Sequence, residues 1–156
     1  MARHGLVAAV AAAMVLGASG ASAQTVIDGS DPQAILDLAR GFGSAALETD
    51  AVGDPLLQGR IEGNVYSVYF YGCESNANCD KVLFSATWDV DSHSLDAVNA
   101  FNKNAIFGRA YVDDQGDYVI EMTVNLAHGV TRANLDDTFV VWSDLMREFS
   151  DFAASN

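Results

Sequence analysis

Cys73 and Cys79 are the two cysteines of the chain, with five residues between them in the stretch "YGCESNANCDK". Such a pair can bridge as a disulfide, cycle as a redox couple or supply half a metal site. A thioredoxin-like couple needs two intervening residues at a helix start, whereas Glu74 to Asn78 read as a polar turn. A structural zinc site needs four ligands, and the sequence offers no second Cys or His pair. The flanking runs "VYSVYFY" and "KVLFSATW" are rich in aromatic and β-branched residues, the composition of hairpin strands. If the cysteines face each other, Phe70 opposes Val82, Val68 opposes Phe84 and Tyr66 opposes Ala86, giving one apolar face. Tyr71 with Lys81, Ser67 with Ser85 and Val65 with Thr87 then make a more polar one. A slip of one residue would mix the two faces, so the alternation supports the pairing independently of sulfur. In an oxidising compartment this arrangement favours a structural disulfide, with a redox-active pair and a metal half-site as the weaker readings.

No other residues assemble a catalytic pattern. His93 precedes a helix and His128 sits in the turn "LAHGV", neither with a second ligand at metal spacing nor a Ser or Cys partner. Asp113, Asp114 and Asp117 crowd one turn but lack the alternating ligands and closing Glu of a calcium loop. Ser143 and Ser150 have no nucleophile elbow, and no glycine loop cradles phosphate. Acid–base chemistry would have to come from scattered carboxylates such as Glu48, Asp50 and Glu121, for which the sequence gives no shared cleft. The expectation is a protein that is not an enzyme, with no cofactor and no metal.

The compartment is read from the first residues. Arg3 and His4 precede an apolar run from Gly5 to Leu16, and small residues end in Ala21-Ser22-Ala23. A basic start, a short apolar core and an A-x-A site predict a secretory signal over residues 1–23. The run is too short to span a bilayer, which takes about 20 apolar residues. Export to the periplasm of a Gram-negative bacterium follows, with residues 24–156 as one α+β domain and no membrane insertion after cleavage. Loss of Arg3 leaves 7 basic residues against 21 acidic ones, a net charge of −14. That excess repels phosphate backbones, so nucleic acid is disfavoured as a partner.

The elements that hold these residues follow from periodicity. Asp31-Pro32 caps a short helix carrying Ile35, Leu38, Ala39 and Phe42. "AALETD" and "PLLQGRI" are extended pieces broken by "VGDP", and Glu62-Gly63-Asn64 turns into the cysteine hairpin. Ser94 caps a second helix with Leu95, Val98, Phe101 and Ala105 on one side. "IFGRAYVDDQGDYVIEMTVNL" then reads as a second hairpin around Asp114-Gln115-Gly116, with Arg109 opposite Glu121 as a cross-strand ion pair. Thr131 caps a last helix with a stripe of Leu135, Phe139, Trp142, Leu145, Met146, Phe149 and Phe152, and with Asp136 and Asp137 in its first turn. The fold class is α+β: an antiparallel sheet of five to six strands with helices packed on it, in the order helix, strands, helix, hairpin, helix.

From Phe107 to Phe149 the chain resembles the YbjN domain family of bacterial sensory transduction regulators. The resemblance rests on Phe107, Gly108, Arg109 and Ala110, on Glu121, Met122, Asn125 and Leu126, and on Gly129, Val130, Leu135, Trp142 and Phe149. Tyr71-Gly72-Cys73 followed by Cys79 is similar to exported members, and the likeness runs from Pro32 to Phe152. It implies a fold like that of type III secretion chaperones and a non-enzymatic module. Such a module binds another polypeptide or tunes a signalling pathway, often as a homodimer, and the family brings no catalytic residues.

Phe107, Arg109 and Tyr111 are expected to point one way from one strand, and with Tyr69 and Tyr71 they offer a candidate partner-binding face. Aromatic and Arg residues dominate such faces. Hydrophobic strand faces usually meet something, so a covering helix or strand is the stronger expectation. The functional expectation is a regulatory, sensory or chaperone-like module that binds an unknown protein or polypeptide segment. A small-ligand sensor with a pocket between the last helix and the sheet is the alternative, and a small enzyme the remoter one.

Overall fold

A computed structural model describes residues 25–155; the leader expected over residues 1–23 lies outside them. The elements run β1 (Val26–Ile27), α1 (Pro32–Ala39), β2 (Ser44–Thr49), β3 (Pro55–Ile61), β4 (Asn64–Tyr71), β5 (Lys81–Trp88), α2 (Leu95–Asn104), β6 (Arg109–Val112), β7 (Tyr118–Asn125), β8 (Val130–Thr131) and α3 (Arg132–Ser155). Six strands form one antiparallel sheet in the order β2-β3-β4-β5-β7-β6, and β1 pairs with β8 apart from it. The molecule is therefore α+β with three helices on a six-stranded sheet, consistent with the expected chaperone-like order.

Both hairpins take the register that alternation demands. Val68 lies opposite Phe84 and Phe70 opposite Val82 in the first; Arg109 lies opposite Glu121 and Ala110 opposite Ile120 in the second. The second hairpin enters the sheet through β7, which pairs with β5 along its whole length. Sequence explains this choice. Tyr118 to Met122 are all buried, with Glu121 under the Arg109 and Tyr111 side chains of the next strand, a setting that suits an interior strand rather than an edge. β6 has four residues, two of them exposed, and takes the edge.

Helix α3 lies across the sheet and buries Leu135, Phe139, Trp142, Leu145, Met146 and Phe149. Phe84 meets Phe139 and Trp142 at centroid distances of 5.2 and 5.4 Å, while Phe149 meets Trp88 and Phe101 at 5.2 and 5.0 Å. Edge-to-face contacts of this kind add to what area burial supplies. Helix α1 buries Ile35, Leu36, Leu38 and Ala39 and ends before Phe42, which was expected on it; Phe42, in the following turn, stacks at 5.5 Å on Phe139 of α3. The start of α2 is held from the sheet: Ser94 Oγ accepts the Ala97 amide, and the Tyr118 hydroxyl accepts the Ser94 amide at 2.7 Å.

Two further expectations need correction. Leu95 is 62% exposed, because the first residue of α2 has not yet turned toward the core. Thr131 Oγ1 does accept the Asn134 amide at 3.1 Å, but the helix begins at Arg132 and its first turn carries no acid. Asp136 and Asp137 therefore sit beyond the first turn, where the free amides that favour anions have ended.

All three helices lie on one side of the sheet, the side of Tyr66, Val68, Phe70, Val82, Phe84 and Ile120. Among the described residues no helix covers the opposite face.

Candidate functional site

The open face is built from the odd-numbered residues of β4 and β5 and the residues paired with them. One row runs Gln58, Ser67, Ser85, Glu121, Arg109, and the next runs Leu56, Tyr69, Leu83, Thr123. At the β6 edge a carboxylate anchors the surface. Glu121 is 8% exposed. Arg109 donates to its Oε2 from Nε at 3.1 Å and Nη2 at 2.7 Å, and the Tyr111 hydroxyl donates to its Oε1 at 3.0 Å. Both oxygens are thus satisfied, which a buried ion requires.

The electrostatics follow from that contact. The hydrogen bond to Glu121 and its charge raise the Arg109 guanidinium above its ordinary range. Tyr111 is pushed up to about 12, first by burial and then by its bond to Glu121. The guanidinium carbon also lies 5.9 Å from the Tyr111 ring centroid, within the reach of a cation–π contact. The three side chains hold one another in place, with the Arg109 side chain 74% exposed and Tyr111 36% exposed.

Tyr69 and Tyr71 form a second cluster on the same face, with ring centroids 6.4 Å apart. They stand on β4, three strand steps from β6, which at about 4.8 Å a step is roughly 14 Å. Leu83, Ser67 and Ser85, half-buried, lie between the two clusters. Burial, ahead of the charges of neighbouring groups, pushes the Tyr71 hydroxyl above its ordinary value. Arg109 is not the lone cation of this surface. Lys81 lies opposite Tyr71 and Arg60 opposite Val65. Of the seven basic residues after Arg3, three sit on this face.

Phe107 departs from its expected place. Gly108 has a φ of +73°, and a Cβ there would come within 2.7 Å of Leu145 Cδ2 and 2.9 Å of the Glu121 carbonyl oxygen. That left-handed residue breaks the alternation just before β6. Phe107 is carried to the helix side, where it lines hollows with Val141 of α3. The glycine was visible in the sequence, but a glycine before a strand does not announce its sign of φ.

The cysteines close the far end of the β4–β5 hairpin as a Cys73–Cys79 disulfide. Inside the loop, Glu74 and Ala77 exchange both backbone hydrogen bonds, at 2.7 and 3.1 Å. Ser75 and Asn76 take φ of 54° and 62°, the signature of a tight two-residue turn. Asn76 then reaches across to the β2–β3 turn, donating to the Val52 carbonyl at 3.2 Å and to Asp54 Oδ1 at 2.9 Å. Sequence reading found the turn but not this tie, because an Asn in a polar loop carries no mark of a distant partner. Another polar residue missed in this way is Asn102 of α2. Its amide accepts from Ala110 N at 2.8 Å and donates to Ala110 O at 2.9 Å, mimicking a neighbouring strand along the β6 edge.

The scattered carboxylates do not converge. Asp50 accepts the amides of Val52 and Asp54, both at 2.9 Å, within its turn. Glu48 stands on β2, and β3, β4 and β5 separate it from Glu121. Asp113 likewise accepts the amides of Gln115 and Asp117. Among the described residues no group of three or more His, Cys, Asp or Glu side chains is placed to hold a metal ion.

Comparison with curated proteins returns no match. The family model YbjN, described as "Putative bacterial sensory transduction regulator", matches residues 31–154. That span takes in α1 through all but the last residue of α3, including every residue of the open sheet face. The chain belongs to the YbjN family.

Proposed function

We propose that this YbjN protein is an exported, non-enzymatic regulatory module that binds another polypeptide through the open face of its sheet. The observation that carries the reading is the Arg109–Glu121–Tyr111 cluster: a carboxylate 8% exposed holds two exposed recognition side chains in fixed positions on an uncovered surface. Ordering them in advance lowers the entropy that a partner must offset on binding. Lys81, Arg60 and the tyrosines extend the surface, where with Arg109 three cations meet two carboxylates, Glu48 and Glu121, in contrast to the acidic excess of the molecule as a whole. The leader pattern and the disulfide support export to the periplasm. No helix among the described residues is long and apolar enough to cross a membrane.

Crosslinking in intact cells, followed by affinity purification of the tagged protein from the periplasmic fraction, tests the reading. It predicts one endogenous polypeptide in near-stoichiometric amount, reduced when Tyr71 and Tyr111 are replaced by Ser. Equal recovery with that variant would remove the sheet face from the account.

A further inference from the structure

On the helix side, the turn after α2 and the helix α3 enclose a groove. Two hollows of about 290 and 300 Å³ lie side by side, with Phe107 and Val141 lining both. Their apolar walls include Ile106, Leu145, Met122 and Val124. Ile106 is 89% exposed and Phe107 54% exposed, side chains that a folded chain of this size has every reason to bury. Adjacent exposed apolar residues beside a groove mark a surface made for contact.

The rim has one sign. Asp137, Asp144 and Glu148 line the hollows, and no Lys or Arg does. Arg147 pairs with Asp144 and lies 3.9 Å from Glu62, so Asp144 is compensated, while Arg147 pairs with neither Asp137 nor Glu148. An acidic rim over an apolar floor attracts a segment that presents cations flanking apolar anchors. A second copy of this chain, with a net charge of −14 once residues 1–23 are removed, offers few cations to such a rim.

We infer that the groove between α3 and the Ile106–Phe107 turn is a second docking site, and that its occupant is a cationic amphipathic peptide segment of a partner protein. Apolar side chains of the segment fill the two hollows, and its Lys or Arg residues meet Asp137 and Glu148. The site is on the opposite side of the sheet from Tyr71 and Tyr111 and stands whether or not that face binds anything.

Fluorescence anisotropy with three labelled synthetic peptides tests it on protein produced from the full-length sequence. One peptide is an amphipathic helix of Leu and Lys, one replaces Leu by Ser at equal charge, and one replaces Lys by Glu. The Leu–Lys peptide should bind best, and Ile106→Ser with Phe107→Ser should weaken it about tenfold, the effect of losing well-seated anchors. Asp137→Asn with Glu148→Gln should weaken it too and flatten its salt dependence, while Tyr71→Ser leaves it unchanged. Thermal melting of each variant reports that the fold is kept, and the exposure of Ile106 and Phe107 makes that outcome expected. Equal binding of the Ser–Lys peptide would mean attraction to net charge alone and would overturn the inference. So would Leu–Lys binding indifferent to the Ile106/Phe107 pair, or self-association in sedimentation that this pair abolishes.

Discussion

Arg109 and Glu121 face each other across β6 and β7, with Nη2 2.7 Å from Oε2, and the two ends of the pair live in different surroundings: the carboxylate side chain is 9% exposed, the guanidinium side chain 74%. The carboxylate depends on the pair far more than the guanidinium does. Removing Arg109 leaves a buried charge with one hydrogen bond, from Tyr111.

Arg109→Met should therefore destabilise the fold by about 1–2 kcal/mol, the usual cost of stranding a polar group whose partner is half in solvent. Glu121→Met made together with Arg109→Met should recover much of that loss, because an apolar pair of similar size needs no partner. Urea unfolding of the two single variants and the double variant measures the coupling.

The tyrosines give a pH signature. Tyr66 and Tyr111 are each pushed up to about 12 from an ordinary value of 10.0, Tyr66 by burial and Tyr111 by burial and its bond to Glu121. Between those values the folded state holds more protons than the unfolded one. The stability they contribute is fully present below pH 10 and is lost as pH rises from 10 toward 12. Spectroscopic titration should show these two hydroxyls ionising well above the ordinary value or together with alkaline unfolding. Five tyrosines titrating together near the ordinary value would contradict it.

The disulfide closes a short loop, so chain entropy limits its contribution to about 2 kcal/mol. Cys73→Ala with Cys79→Ala should lower stability by about that amount, also removing the packing of the buried Cys79. The pairing of Val68 with Phe84 should survive, since the alternation of apolar and polar positions fixes it. Amide exchange protection in β4 and β5 would check both points.

Asn102 shields the β6 edge. Asn102→Ala exposes the amide and carbonyl of Ala110, which should cost about 1 kcal/mol for the lost hydrogen bonds and open a strand edge to self-pairing. Light scattering at rising concentration should show the variant associating where the parent does not.

Much of this architecture is legible from side-chain period alone. Both hairpin registers follow from faces that cannot be mixed without burying Lys81 or exposing Phe84. What is not legible is long-range and polar. Nothing local says that β7 inserts beside β5 and leaves β6 at the edge, although the unbroken burial from Tyr118 to Met122 is the physical trace of it. Phe107 fails as a member of the face for one backbone angle at Gly108, and Asn76 and Asn102 act on groups that sequence distance hides. Of the five residues expected on one surface, Tyr69, Tyr71, Arg109 and Tyr111 share the open face, the first two three strand steps from the others, while Phe107 lines the groove.

Periplasmic crosslinking of the tagged protein, quantified by mass spectrometry for the parent and for Tyr71→Ser with Tyr111→Ser, tests most directly whether the open sheet face is the working surface. The account predicts one polypeptide captured by the parent at close to equal amount and several-fold less by the variant. Capture that the substitutions leave untouched, or a protein retained in the cytosol with no partner attached, would contradict it.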